Sequence, residues 1–223
     1  MGAYALVEVV FLASSLLLGL LVLRDGPLGV TALAIGLAVP TVLAAGLAIL
    51  ITVRRGNGPR IDLGLRFSWR DVGIGLAFGF GGLVLTIPAS VIYASLLGPD
   101  RATSSVGEVF AGLSSGVAGA LVVFVIVVFL APVCEEIVYR GLLWGALERH
   151  GAGRWVAFGL TTLLFALAHF EFSRTPLLAV IAIPIGLARV VTGGLTASIV
   201  AHQINNLLPG IALLLMLLGV VPS

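Results

Sequence analysis

The stretch "GVAGALVVFVIVVFLAPVCEEIVYRG", Gly116 to Gly141, runs without a charge from Gly116 to Ala131. It then places Glu135, Glu136 and Arg140 within six positions. A helix that crosses a bilayer needs about 20 mostly apolar residues, and this stretch supplies them. With it counted, apolar segments lie at 4–23, 28–53, 72–97, 116–147, 155–170, 176–191, 195–207 and 208–221, the last two divided at Pro209. Membrane β-strands would alternate polar and apolar residues, and none of these segments does. The expected fold is therefore all-α: a polytopic membrane helix bundle of about eight transmembrane helices, forming one domain over 1–223.

Composition agrees with that class. The 223 residues are 60% hydrophobic and 10% charged, with a mean hydropathy of +1.21. Soluble domains carry about 25% charged residues, so an integral membrane protein is expected, surrounded by lipid. The net charge of +2 comes from a chain whose basic residues are all Arg. These lie mostly in connecting segments, where membrane topology accounts for them, and no nucleic-acid partner is implied. The single cysteine, Cys134, excludes an intramolecular disulfide and a cysteine-rich metal site. The first apolar segment, Tyr4 to Leu23, lacks a basic leader and a small-residue cleavage site, and reads as a retained span.

The segment Arg54 to Asp71, "RRGNGPRIDLGLRFSWRD", is the clearest loop, with five Arg against two Asp and a run of helix breakers. The positive-inside rule assigns it to the cytoplasm. Counting spans outward gives a cytoplasmic N-terminus and cytoplasmic turns near Arg149–Arg154 and Arg189–Gly194. The loop Gly98 to Ser115 is then expected outside. The glycines of "GIGLAFGFGG", Gly73 to Gly82, suit close helix packing; Gly79 and Gly82 need no catalytic role.

Ionisable residues inside a membrane cost about 2.5–3.5 kcal/mol each on insertion scales and normally face the bundle interior. Glu136 and Arg140 are four apart, share a helix face and can pair. Glu135 points about 100° away, so one carboxylate can be neutralised while the other stays free. The plain alternative is a structural ion pair with the second acid reaching for the interface. Pro132 either kinks this helix or starts a new one. In "FALAHF" (165–170), Phe165 and His169 share a face; in "VAHQINNLLPG" (200–210), His202 and Asn206 do. At about 1.5 Å per residue, Glu135 and His169 lie at matching depths of roughly 20 Å, and His202 is somewhat shallower. One shared buried site is geometrically possible. Glu8 reads as interfacial, while Glu171 and Arg174 read as loop residues. No G-x-S-x-G, Walker or HExxH motif is present.

A buried Glu can serve as general base and a neighbouring His can help to orient water. A second His and an amide can stabilise an oxyanion. That set suits amide hydrolysis without a covalent intermediate. Glu135, His169 and His202 would equally make a two-His, one-Glu zinc set, and spacing alone leaves the metal and metal-free versions open.

"EEIVYR" (135–140) resembles the EExxxR motif of the type II CAAX prenyl endopeptidase family, which also includes bacterial CAAX-protease and bacteriocin-processing, or ABI, membrane proteins. "FALAH" (165–169) is similar to its FxxxH motif and "HQINN" (202–206) to its HxxxN motif. Three such motifs in order, each in an apolar helix, carry the resemblance over Leu130 to Asn206, within a core at about 116–221. The resemblance implies an intramembrane endopeptidase of eight helices. In it Glu135 and His169 would activate water, His202 and Asn206 would form the oxyanion hole, and Glu136, Arg140 and Phe165 would support them. It implies no cofactor and a membrane-associated, possibly prenylated, peptide or lipidated protein as substrate. The Arg-only, Ala/Gly-rich composition points to a bacterial plasma membrane. The competing expectation is a non-catalytic immunity or scaffold protein that binds a peptide or partner in the same polar cluster.

Overall fold

The computed structural model of the protein describes residues 1–24, 29–98 and 104–221. Among the described residues there are nine helices and no strand. Helix α1 (Gly2–Arg24) and α2 (Val30–Arg55) form an antiparallel pair. The short α3 (Pro59–Asp62) leads into α4 (Trp69–Leu97), and α5 (Ser105–Phe110) is a single short helix. Then come α6 (Val117–Arg149), α7 (Arg154–Leu167), α8 (Thr175–Thr192) and α9 (Leu195–Leu217). Six of these are long and apolar enough to cross a membrane, and α7 is a shorter apolar helix.

Where about eight spans were expected, six helices reach spanning length among the described residues. The proposed segments 195–207 and 208–221 are one helix, α9, with Pro209 inside it. Proline removes one hydrogen bond and bends a helix, but neighbouring helices in a bundle re-satisfy the freed group, so the helix continues. Pro40, Pro88 and Pro184 sit inside helices in the same way. Pro132 likewise neither ends nor restarts α6. Part of the Gly98–Ser115 loop, residues 99–103, lies outside the described residues.

Helix α6 is the hub. Every residue from Glu136 to Leu147 is buried, so the helix is enclosed on all sides, as a bundle-centre helix is. The outer helices show the reverse pattern. Leu16, Val84 and Leu96 are 65%, 77% and 75% exposed, an apolar surface suited to lipid. Helix α4 packs along α8 and α9 through glycines. A Cβ at Gly75 would stand 2.6 Å from the Ala197 carbonyl oxygen, and one at Gly79 would stand 2.7 Å from Ile204 Cβ. Close approach is thus built into this face, as the glycine run suggested. Gly79→Leu is expected to destabilise the bundle by about 1–3 kcal/mol through overpacking. Gly81→Leu, which meets nothing within 4 Å, should leave it unchanged. Thermal unfolding in detergent compares the two.

Cross-chain contacts order the two ends. At one end, Leu195 N–H donates to the Gly64 carbonyl (2.9 Å), Arg66 donates to the Thr192 carbonyl (3.0 Å), and Arg149 pairs with Asp62 (3.5 Å). The Arg-rich loop, the α6–α7 turn and the α8–α9 turn therefore share one end. At the opposite end, Ser105 N–H donates to Glu171 (3.0 Å) and Ser115 N–H to the Leu217 carbonyl (2.8 Å).

Candidate active site

Helix α6 is not α-helical throughout. Two stretches, Ile126–Leu130 and Ile137–Leu143, are π-helical. The bond from Ala131 N–H to the Ile126 carbonyl spans five residues, as does that from Trp144 N–H to Tyr139. Such stretches shift the bonding register and often occur at functional sites. Side chains from other helices take up carbonyls there. Asn206 Nδ2 donates to Val127 O (3.1 Å), Gln203 Nε2 to Phe129 O (3.4 Å) and Arg189 Nε to Arg140 O (3.0 Å). Between the two stretches, a single α-helical segment presents the acids.

The two adjacent carboxylates have different surroundings. Glu136 Oε1 lies 2.9 Å from Arg140 Nη1, and both side chains are fully buried. The same oxygen lies 3.0 Å from His202 Nδ1. An ionised carboxylate only accepts, so Nδ1 carries the hydrogen in this bond. The other face of the ring points at Glu135: His202 Nε2 stands 3.6 Å from Glu135 Oε2. Glu135 keeps 23% of its side chain exposed. His202 thus bridges both acids, an arrangement that the spacing of the motifs did not suggest.

Phe165 forms the aromatic floor. Its ring lies 4.5 Å from the Arg140 guanidinium carbon, 4.7 Å from the His169 ring centroid and 5.5 Å from those of His202 and Tyr139. Cation–π and edge-to-face contacts of this kind fix ring orientation. His169 Nδ1 bonds to the Phe165 carbonyl (2.8 Å) at the end of α7. The chain then leaves the helix through Phe170, whose φ of 55° is left-handed. His169 makes no ion-pair contact with Glu135. The two side chains instead line a common cavity of about 780 Å³, together with His202 and Asn206.

Three lining residues escaped the sequence reading. Glu8 was read as interfacial but lines this cavity, with Oε1 fully enclosed; its depth along α1 carried no hint of which face it occupies. Glu171 and Arg174, an ion pair in the α7–α8 loop, form part of the wall. Asn205 also lines the cavity, and its Oδ1 accepts from Thr86 of α4 (3.3 Å).

Among the described residues, no three His, Cys, Asp or Glu side chains gather as a metal site requires. Glu135 and His202 Nε2 face each other, His202 Nδ1 is held by Glu136, and His169 lines the same cavity. Glu135, His169 and His202, the alternative zinc set, line one cavity without closing on a common point.

Residues 117–208 match the family model described as type II CAAX prenyl endopeptidase Rce1-like. That range contains the hub helix, the floor and both histidines. Over that range the chain is similar to the CAAX-protease family. A membrane-embedded CAAX protease, MroQ of Staphylococcus aureus (strain USA300), is 25% identical over 176 aligned residues, covering 74% of this chain and 67% of the relative. No solved structure matches the chain. These similarities indicate a membrane-embedded peptidase.

Proposed function

We propose that Glu135 is the general base of a metal-free peptide hydrolysis. The observation that carries this reading is the asymmetry of the two acids. Glu136 is fully buried and neutralised by Arg140, whereas Glu135 remains partly exposed to the cavity. A water between Glu135 and His169 would lose a proton to Glu135 as its oxygen attacks the peptide carbonyl. His169, anchored through Nδ1, leaves Nε2 to orient that water. His202 Nε2 faces the position of the tetrahedral oxyanion and serves as a donor to it. Asn206 supplies the amide hydrogen that the Val127 carbonyl leaves free. Collapse breaks the C–N bond, and Glu135 returns the proton to the departing amine.

The substrate in this reading is a membrane-associated peptide or lipidated protein of the prenylated CAAX type. The cavity suits it: Phe11, Leu37, Ile126 and Leu213 line the walls around the polar cluster, and such sites bind mainly apolar ligands with a few placed polar groups. The test uses purified protein in liposomes, a farnesylated CAAX peptide and its unmodified counterpart, followed by mass spectrometry. Cleavage of the farnesylated peptide, equal with and without chelator, is the expected outcome. Loss of cleavage with chelator and its return with zinc would overturn the metal-free mechanism. Cleavage of both peptides alike would remove the prenyl group from the specificity.

A further inference from the structure

A second cavity, of about 840 Å³, lies at the end of the bundle that carries the Arg-rich loop, away from the acids. It opens where α1 begins and where α2 and α6 end. Arg54 and Arg55 from the last turn of α2 and Arg149 from the last turn of α6 reach its rim. Its inner wall is apolar, with Leu6 of α1 and Leu50 of α2.

The charges at the rim do not cancel. Asp62 is the acid there, and it is already engaged. It accepts from Asn57 N–H (2.8 Å) and Asn57 Nδ2 (3.2 Å) and pairs with Arg149 (3.5 Å). Among the described residues, neither Arg54 nor Arg55 has an acidic partner. Two uncompensated guanidiniums therefore stand above an apolar recess at the ends of three membrane-crossing helices.

That combination fits one chemistry. Guanidinium groups bind phosphate oxygens in a bidentate fashion, and basic pockets between membrane helices recognise anionic headgroups. The recess below would take acyl chain, which a free anion lacks. The depth matches too, because the helix ends are where lipid phosphates lie. We infer that this cavity is a binding site for an anionic glycerophospholipid, with its phosphate at Arg54 and Arg55 and its acyl chains against Leu6 and Leu50. The inference is independent of the catalytic reading, since none of these residues lines the cavity at Glu135.

The test uses the purified full chain in mild detergent. Dioleoyl phosphatidylglycerol and dioleoyl phosphatidylcholine are titrated separately, and bound lipid is counted by native mass spectrometry. Phosphatidylglycerol is expected to bind at least tenfold tighter. Arg54→Gln/Arg55→Gln should remove that preference, at about 1 kcal/mol per surface Arg or roughly thirtyfold for the pair. Arg60→Gln/Arg70→Gln, which removes two exposed arginines outside the cavity, should keep it. Leu6→Trp, which fills the recess without changing charge, should weaken binding as well and serves if the first pair does not fold. Equal weakening by the two Arg pairs would overturn the site, as would equal binding of the two lipids. Full competition by inorganic phosphate would assign the rim to a free anion instead.

Discussion

Replacing Glu135 by Gln is expected to lower peptide hydrolysis by about 10²–10⁴-fold, the usual range for loss of a general base, with thermal unfolding unchanged. The two halves of this expectation come from one observation. Among the described residues Glu135 makes one ion-pair contact, to His202 Nε2 at 3.6 Å, and it faces the cavity. Gln preserves its shape and removes only its ability to take a proton. The bundle around it, including the Glu136–Arg140 pair, loses nothing. Initial rates on the farnesylated peptide and a melting curve in the same detergent check both halves. A variant that folds and still cleaves at the wild-type rate would remove Glu135 as the base and leave the cavity to a binding role.

The second large effect concerns stability. Arg140→Leu is expected to destabilise the bundle by about 3–5 kcal/mol, because it strands a carboxylate that is fully enclosed. Glu136 and Arg140 have no exposed side-chain surface, and Glu136 Oε2 has no protein partner. Nothing else described at this depth carries a fixed positive charge within ion-pair distance of Glu136. Arg140 also stacks on Phe165, so its loss loosens the floor beneath both histidines. Glu136→Gln/Arg140→Met removes both charges together and is expected to recover most of the stability, since an apolar replacement of a buried pair is often neutral. Activity should not recover in the double variant, because His202 Nδ1 has lost its charged acceptor. Melting curves and cleavage rates for the single and double variants separate these effects. A single variant as stable as wild type would show that the pair does not hold the helix.

The motif residues were legible because each pair shares one helix face. Glu136 with Arg140, Phe165 with His169, and His202 with Asn206 are each four apart, a spacing that needs no knowledge of any neighbouring helix. Glu136 and Arg140 do pair, and His169 does fold back onto the Phe165 carbonyl. The break assigned at Pro209 failed for the opposite reason. A proline reads as a stop when only its own helix is considered, but α9 is held on its flanks by α4 and α8. Glu8 failed similarly: one acid in an apolar helix has a depth but no assigned face.

By itself the sequence determined that this chain is a helical membrane protein, where its apolar segments lie, and which three of them carry polar side chains at depth. These follow from hydropathy and from positions three or four apart, which are local properties of one helix. Only the tertiary structure decided that His202 joins both acids, that Glu135 and not Glu136 faces the cavity, and that α1 contributes to its wall. Such facts depend on how each helix is rotated about its axis. In α6 that rotation departs from 100° per residue twice, at the π-helical stretches on either side of the acids. There the carbonyls taken up by Asn206, Gln203 and Arg189 tie the register of one helix to its neighbours, a constraint that no single segment contains.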